Sequence, residues 1–300
     1  MRKGGISIPE KKIRKKERKH KHKHKHKHKR ETEKMQPPSR KCIAVLTRGY
    51  EDLDKYQDLI ERNESIQTNL QDKTIPILIF HEGNITQPQQ IHISSKTPEL
   101  NLQFIDVKST QKAFRTEKES IPFDPETTAF PIGYRHMCSF WIIDLWHFVT
   151  EYDLLLRIDE DCIIDFNIDH IFRQMELESI QIITGHWGFD CDFVTRGLND
   201  FTRTFLSNVL ERPFDKIPTR YISGICSISG FHLTTLRKNP LLYLFLVELD
   251  FSNKIYTHRW GDGPIWGEII GYILEASEGN PCKWERSIRY YHKSHDAQIN

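Results

Sequence analysis

Residues 154–162 read LLLRIDEDC, and this stretch decides the fold. Five mostly apolar residues form a candidate buried strand and run directly into Asp159, Glu160 and Asp161. Because side chains at positions i and i+2 of an extended chain point to the same face, we expect Asp159 and Asp161 to converge while Glu160 points away. Two carboxylates at the end of a buried strand predict a binding site at the carboxyl edge of a sheet.

Strand-like and helix-like segments alternate on both sides of this stretch. The further apolar runs that predict strands are 42–47, 74–80, 102–107, 181–184 and 222–229. The segments with helical spacing are 52–61, 134–148, 168–175, 233–249 with an interruption at Pro240, and 264–274. Pro76 pushes the second strand toward an edge or a bulge. The alternation predicts one α/β, Rossmann-like domain over residues 39–300, with a mostly parallel central sheet covered on both faces.

The charge of the chain is divided unevenly. Residues 1–34 carry 16 Lys or Arg against 4 Glu, whereas the rest of the chain carries 27 bases against 37 acids. Lys and His alternate from Lys19 to Lys29, which predicts a disordered basic tail over residues 1–38. This tail is either plainly solvated or an arm that binds metal or an anionic surface. The acidic body argues against nucleic-acid binding by the main domain.

Several protein classes are disfavoured by what the sequence lacks. No apolar stretch approaches the length of a membrane span and no signal peptide precedes the body, so a cytoplasmic protein without a transmembrane anchor is expected. Six cysteines form no CxxC pair, which argues against zinc-finger and thioredoxin-like sites. The sequence contains no HExxH-like pair, which argues against a metal-dependent hydrolase.

The acidic end of the LLLRIDEDC stretch suits a hard divalent cation. Carboxylate oxygens are the ligands of Mg²⁺ and Mn²⁺, which keep open positions for phosphate oxygens. Such a cation offsets the charge that develops on a nucleoside diphosphate leaving group. The alternative is a surface turn that happens to be rich in acids.

Four blocks of sequence together resemble a known enzyme family. They are GYRHMCSF at 133–140, LLLRIDEDC at 154–162, HRWGDGPIWGEI at 258–269 and IRYYH at 288–292. In this order they resemble the signature blocks of the fungal-type α-1,2-mannosyltransferases, glycosyltransferase family 15, over about residues 42 to 292. The resemblance implies a single-domain GT-A fold and a transferase that uses GDP-mannose and Mn²⁺, acts on a carbohydrate or glycoprotein acceptor, and retains the anomeric configuration.

The resemblance also assigns roles to residues of this chain. Asp159, Asp161 and His292 match the metal-binding positions of the family. Asp262 matches an acid that contacts the donor sugar or the acceptor, and Tyr134 and Arg135 match a pair that faces the donor pocket. Independently of the family, Thr47 and Arg48 end the first predicted strand, where such a fold meets the nucleotide.

Simpler interpretations exist for several of these residues. Asp262 precedes a predicted helix and is a candidate N-terminal cap. Trp260 and Trp266 either stack on a sugar ring or belong to the core. Arg135 is a candidate cap or surface ion-pair partner, and His292 a candidate core histidine.

One departure from the family concerns the mechanism. The family carries a glutamate, proposed as the nucleophile, in an Asn-Phe-Glu-Ile strand. The matching stretch here, SGICSISGF at 223–231, contains no carboxylate. A front-face substitution, in which the leaving phosphate takes the acceptor proton, needs no protein nucleophile. A catalytically inactive carbohydrate- or polyanion-binding protein that works through its Lys/His tail is the alternative from another class.

Overall fold

The computed structural model describes residues 38–178, 180–214, 225, 227–274, 282–295 and 297–299. Residues 40–300 form one compact unit. The tail predicted over residues 1–38 lies outside the described residues except for Pro38, so its disorder stays a prediction.

Short strands make up two sheets in the described part of the chain. The strands are β1 Lys41–Leu46, β2 Pro76–His81, β3 Asn101–Asp106, β4 Leu154–Ile158, β5 Cys162–Ile164, β6 Ile182–Thr184, β7 Ile228–His232, β8 Cys282–Trp284, β9 Tyr290–His292 and β10 Ala297–Ile299. The larger sheet has the order β3-β2-β1-β4-β7-β6-β8, and the smaller one the order β10-β9-β5. In the larger sheet only β7 runs against its neighbours. The predicted α/β fold with a mostly parallel central sheet is therefore confirmed.

Helices cover this sheet. The α-helices are α1 Gln57–Asn69, α2 Gln87–Lys96, α3 Ile132–Ser139, α4 Ile168–Glu178, α5 Asp192–Thr195, α6 Leu198–Val209, α7 Leu233–Arg237, α8 Pro240–Ser252, α9 Lys254–His258 and α10 Asp262–Glu268. Two of them, α3 and α10, continue into π-helical turns at Phe140–Asp144 and Ile269–Leu274. Within the described residues, no helix is both long enough and apolar enough to cross a bilayer.

The core lies in two layers, one on each face of the larger sheet. Along β1, Cys42 and Ala44 belong to one layer, whereas Ile43 and Val45 belong to the other. All four side chains are fully buried. This alternation follows from the period of two in a strand, and a strand buried on both faces reads as a continuous apolar run.

Most predicted elements are present, with shifted ends. The prediction for Pro76 is wrong, because β2 lies between β3 and β1 rather than at an edge. Pro76 is the first residue of its strand, a position where proline is tolerated. In the apolar run predicted at 222–229, the structure describes strand residues from Ile228 onward, and residues 222–224 and 226 lie outside the described chain. Pro240 separates α7 from α8 and sits in the first turn of α8.

Candidate active site

The acidic stretch after β4 joins the two sheets. The Asp159 backbone N–H donates to Ser227 O at 3.0 Å, which ties the end of β4 to the chain just before β7. Three residues later, Cys162 begins β5 and pairs with His292 of β9. The Lys293 backbone N–H also donates to Asp161 O at 3.0 Å. His292, from the far end of the chain, is thereby brought next to Asp161.

Asp161 and His292 form a close acid–imidazole pair. The distance from His292 Nε2 to Asp161 Oδ2 is 3.2 Å, and both side chains are mostly buried. Burial alone would raise the pKa of Asp161, but hydrogen bonds from His292 and Ser294 hold it well below its usual range. Asp161 is therefore ionised at neutral pH and is available as an oxygen ligand.

Asp159 forms an ion pair with Arg157, which lies in the preceding strand β4. Arg157 Nε donates to Asp159 Oδ1 at 2.8 Å and Arg157 Nη2 to Asp159 Oδ2 at 3.2 Å. The same guanidinium contacts Asp262 Oδ2 through Nη1, and it lies 4.2 Å from the ring centroid of Trp141. Burial alone would lower the pKa of Arg157, but Asp159 and Asp262 raise it. Burial raises the pKa of Asp159, and Arg157 opposes that shift.

Two cavities open at this edge of the sheet. The main cavity, of about 640 Å³, is lined among others by Asp159, Asp161, Asp190, Asp262 and His292. The second, which we call the β1 cavity, measures about 590 Å³ and is lined by Arg48, Tyr50, Glu160 and Lys293 among others. Met137, Arg157, Asp159 and Asp161 line both. The two cavities therefore meet at the acidic stretch.

The residues predicted at the end of β1 lie on the β1 cavity side. Thr47 donates its hydroxyl to Glu160 Oε2, and Tyr50 donates to Glu160 Oε1 at 3.3 Å. Glu160 thus points away from the Arg157 and His292 contacts, as expected from the alternation of a strand. Arg48 lines the β1 cavity and lies 5.1 Å from the ring centroid of Tyr50. Thr47 acts here by holding Glu160.

Tyr134 and Arg135 do not share one environment. Tyr134 lines the main cavity, and its hydroxyl accepts a hydrogen bond from Arg259. Arg135 is fully buried, donates to the backbone carbonyls of Tyr256, Thr127 and Phe130, and lines neither cavity. The prediction that Arg135 faces the donor pocket is therefore wrong. Successive helix residues are about 100° apart around the axis, so only one of the two reaches the cavity.

A different arginine, Arg259, contacts two residues in the wall of the main cavity. Arg259 donates to Asp190 Oδ2 at 2.7 Å, and its guanidinium lies 4.3 Å from the ring centroid of Phe130 and 4.6 Å from that of Tyr134. Its backbone has a φ of 62°, in the left-handed region that non-glycine residues rarely adopt. Arg259 therefore contacts Tyr134 and Asp190, two residues that line the main cavity.

The simpler interpretations of the Trp-Gly-Asp block are now resolved. Gly261 is the N-cap of α10 and Asp262 its first residue, and the Asp262 carboxylate contacts Arg157 rather than capping the helix. Trp260 and Trp266 are both 1% exposed and belong to the core. Stacking of these indoles on a sugar is therefore excluded.

The stretch that lacks the family glutamate does reach the cavity. Among the described residues of 223–231, Ile225 and Ser227 line the main cavity. Each of the four carboxylates among the described lining residues has a basic partner: Arg157 for Asp159 and Asp262, His292 for Asp161, and Arg259 for Asp190.

Sequence reasoning missed Arg157, Ser227, Arg259 and Asp190. Arg157 precedes Asp159 by two residues, so strand alternation already places it on the same face. Asp190 meets Arg259 across 69 residues, and no local pattern signals such a contact.

The fold resembles the GT-A fold of solved transferase structures. No family model and no curated protein matches the chain. Solved structures do. Core-mannan synthase A from Aspergillus fumigatus, in a Mn/GDP form, is 15% identical, with a TM-score of 0.67 over 86% of this chain and 76% of that one.

A second protein gives the same result in two states. The mannosyltransferase Ktr4p from S. cerevisiae is 15% identical, with a TM-score of 0.67 over 85% of this chain and 70% of that chain. Its complex with GDP is 17% identical, with a TM-score of 0.64 over 85% of this chain and 71% of that chain. At this level of identity the similarity establishes the fold, and it confirms the predicted GT-A fold.

Proposed function

We propose that this chain is a metal-dependent glycosyltransferase that moves a hexose, mannose from GDP-mannose, to a hydroxyl of a carbohydrate or glycoprotein acceptor. The observation that carries the proposal is the Asp161–His292 pair, which faces a cleft beyond the carboxyl end of β4. Open α/β sheets bind ligands at this edge. The fold is similar to that of core-mannan synthase A, whose structure is a Mn/GDP form, and to that of the mannosyltransferase Ktr4p, whose structure is a complex with GDP.

The donor set fits a divalent cation. Asp161 supplies a carboxylate and His292 an imidazole nitrogen, at a separation that one ion can span. Asp159 is proposed as a further ligand, because a carboxylate has about four acceptor sites and Arg157 uses two of them. When bound, the cation supplies positive charge for the diphosphate leaving group.

The remaining residues divide between the two cavities. The β1 cavity, with Arg48 and Tyr50 at the end of β1, is proposed to take the nucleotide, and Thr47 holds Glu160 at its edge. The main cavity, with Tyr134 and Asp262, is proposed to take the sugar and the acceptor.

Retention by a front-face route is part of the proposal. Residues 223–231 contain no carboxylate, and the four carboxylates among the described lining residues of the main cavity are each held by an Arg or a His. A nucleophile must come within bonding reach of the anomeric carbon. In this mechanism Asp262, oriented by Arg157, stabilises positive charge on the sugar ring and the leaving phosphate takes the acceptor proton.

The test measures GDP and GDP-mannose affinity by calorimetry, with and without Mn²⁺. We expect Asp161→Ala to abolish the Mn²⁺-dependent part of the affinity while the protein stays folded. Asp200→Ala is the matched control, since Asp200 is an exposed acid on α6 that pairs with Arg203 of the same helix. Unchanged metal dependence in Asp161→Ala would overturn the metal site.

Turnover separates the enzyme from the inactive binding protein. We expect the wild type to release GDP from GDP-mannose in the presence of Mn²⁺ and a mannoside acceptor. Binding without any release of GDP, across a panel of sugar nucleotides, would favour the carbohydrate- or polyanion-binding alternative instead.

A further inference from the structure

The thiol of Cys162 lies close to the proposed metal ligands Asp161 and His292. Cys162 is the first residue of β5 and is paired with His292 of β9 in an antiparallel register. Directly opposed residues in such a pair place their side chains on the same face, with Cβ atoms about 4.5–5.5 Å apart. Cys162 is free and has 0% exposure. It therefore approaches the pair from the protein side rather than from the cleft.

The three side chains are close enough to share one ion. Cys162 Sγ lies 4.0 Å from Asp161 Oδ1, and the other carboxylate oxygen lies 3.2 Å from His292 Nε2. One ligand atom of each residue lies within 4.8 Å of the other two, and among the described residues this is the single such group of His, Cys, Asp or Glu. For a tetrahedral ion with typical bond lengths, sulfur–oxygen and nitrogen–oxygen separations are about 3.5 and 3.3 Å. The observed separations, 4.0 Å to Oδ1 and 3.2 Å to Oδ2, are close to these values, and the two oxygens of Asp161 face Cys162 and His292 respectively.

The position of the thiol leaves the site open toward the cleft. Asp161 and His292 line the main cavity, whereas Cys162 lines neither cavity. A catalytic metal site keeps positions free for water or substrate, and three protein ligands suffice to hold the ion. A buried sulfur ligand also changes the selectivity, since soft thiolates favour Zn²⁺ and similar ions whereas carboxylates suit Mg²⁺ and Mn²⁺.

We propose that Cys162 is a third protein ligand of the metal site, and that it gives the site a preference for thiophilic divalent cations such as Zn²⁺ and Co²⁺. The proposal rests on the metal pair of the proposed function. On binding, the thiol loses its proton to solvent and coordinates as the thiolate.

Cobalt absorption tests this in the full chain without any substrate. A cobalt–thiolate bond gives a charge-transfer band in the near ultraviolet, which imidazoles do not give, so the histidines of residues 20–28 do not contribute to it. We expect the band in the wild type and in the control Cys191→Ser, which alters an exposed free cysteine. We expect it to be lost in Cys162→Ser and in Cys162→Ala, each checked for folding by its melting temperature.

Calorimetry gives the second readout. We expect Cys162→Ser to weaken the Zn²⁺ affinity of the site by at least about tenfold, since even outer-shell partners of metal ligands are worth about 10- to 100-fold. The Mn²⁺ affinity should change much less. Absence of the cobalt band in the wild type, or its persistence in Cys162→Ser, would overturn the role of Cys162. Failure of the metal site itself would instead appear as unchanged metal binding in Asp161→Ala.

Discussion

Arg157 is a cation shared between two acids of the candidate site. It is 5% exposed, and its guanidinium contacts both Asp159 and Asp262. A buried ion depends on its partners, because removing one of them leaves charge that the protein must compensate elsewhere. The position of Asp262 in the main cavity is therefore set by a residue of the central strand β4.

At this scale we expect Asp262→Asn to slow turnover by about 100-fold or more, a loss comparable to removing one electrostatic transition-state contact. The substitution keeps the shape of the side chain and removes its negative charge. GDP affinity should stay nearly unchanged, since the nucleotide is proposed to bind in the β1 cavity. Steady-state kinetics and calorimetry measure the two effects.

Asp192→Asn is the control for this substitution, because Asp192 is an exposed acid at the start of α5. Full activity of Asp262→Asn would remove Asp262 from the mechanism. A glycosyl-enzyme adduct trapped on any carboxylate, and detected by mass spectrometry, would show that the front-face route is wrong.

How far single residues could be predicted depended on the range of their contacts. Asp161 lies in a local motif, and strand alternation alone put it on the side of Asp159. His292 could be placed beside Asp161 only through the family resemblance, because the pairing of β5 with β9 has no local signal. The prediction that Arg135 faces the donor pocket was wrong, because a motif match carries no information on which face of a helix a residue occupies.

Strand β7 lies between β4 and β6 in the larger sheet, and it carries a glycine where a larger side chain does not fit. A Cβ on Gly230 would lie 2.6 Å from Ile183 Cγ2 of β6 and 2.8 Å from Met175 Sδ of α4. We expect Gly230→Ala to lower the free energy of unfolding by about 1–3 kcal/mol, as overpacking of a core does. Chemical denaturation measures this.

The matched control is another glycine-to-alanine change. Gly133 lies in α3, and a Cβ there would meet nothing within 4 Å. Gly133→Ala should stabilise the protein by about 0.5–1 kcal/mol through helix propensity. Equal effects at the two positions would contradict the packing described for β7.

Helices α6 and α10 meet at a buried acid. Glu268 accepts a hydrogen bond from Asn199 and is fully buried. Burial raises its pKa to about 7, against the opposing hydrogen bonds of Thr202 and Asn199. Because the folded-state pKa is raised, the stabilising contribution of this group is present at pH values below its ordinary pKa and is lost as the pH rises through about 7.

We therefore expect Glu268→Gln to match the wild type in stability near pH 4.5 and to exceed it at pH 8, by up to about 3 kcal/mol. Thermal unfolding at a series of pH values gives the difference between the two proteins. The comparison uses the difference in stability between the two proteins, because burial also raises the pKa of Asp144 to about 7 and this group titrates over the same pH range in both. Glu248→Gln, at an exposed position on α8, should show no such divergence. Parallel curves for Glu268→Gln and wild type would contradict the assignment.

Elements were predictable where their signal is local. Strands β1 and β4 are continuous apolar runs buried on both faces, and both were found. The short strands β5, β8 and β10 were missed, since three residues are too few to show a period and their pairing is decided by distant parts of the chain. The helix predicted at 134–148 is present but changes to π and then 3₁₀ turns after Ser139.

For the whole molecule, residues 40–300 form one compact unit, and the basic tail precedes it in the sequence. The composition of residues 1–38 offers too little apolar surface to bury. We expect a protein lacking them to keep its melting temperature and its turnover on small acceptors. Thermal unfolding and kinetics of the truncated protein check this, and loss of folded protein would contradict it.

If the tail acts, we expect attraction to anionic surfaces that weakens with salt, because exposed charges are screened over about 8 Å at physiological ionic strength. Vesicle co-sedimentation of the full and truncated proteins at low and high salt measures this. Equal binding by both proteins would exclude a role for the tail.

The pairing of Cys162 with His292 also bears on the order in which the molecule is made. The chain emerges from synthesis N-terminus first, so Asp161 is present long before its partner, 131 residues downstream. A nascent or truncated chain that ends before Tyr290 carries the acidic stretch without the imidazole. Contacts of such sequence separation form only after the intervening loop has closed. Pairing of Asp161 with His292 therefore requires that the last strands have docked, and a cation bound at the proposed metal site would mark the finished fold.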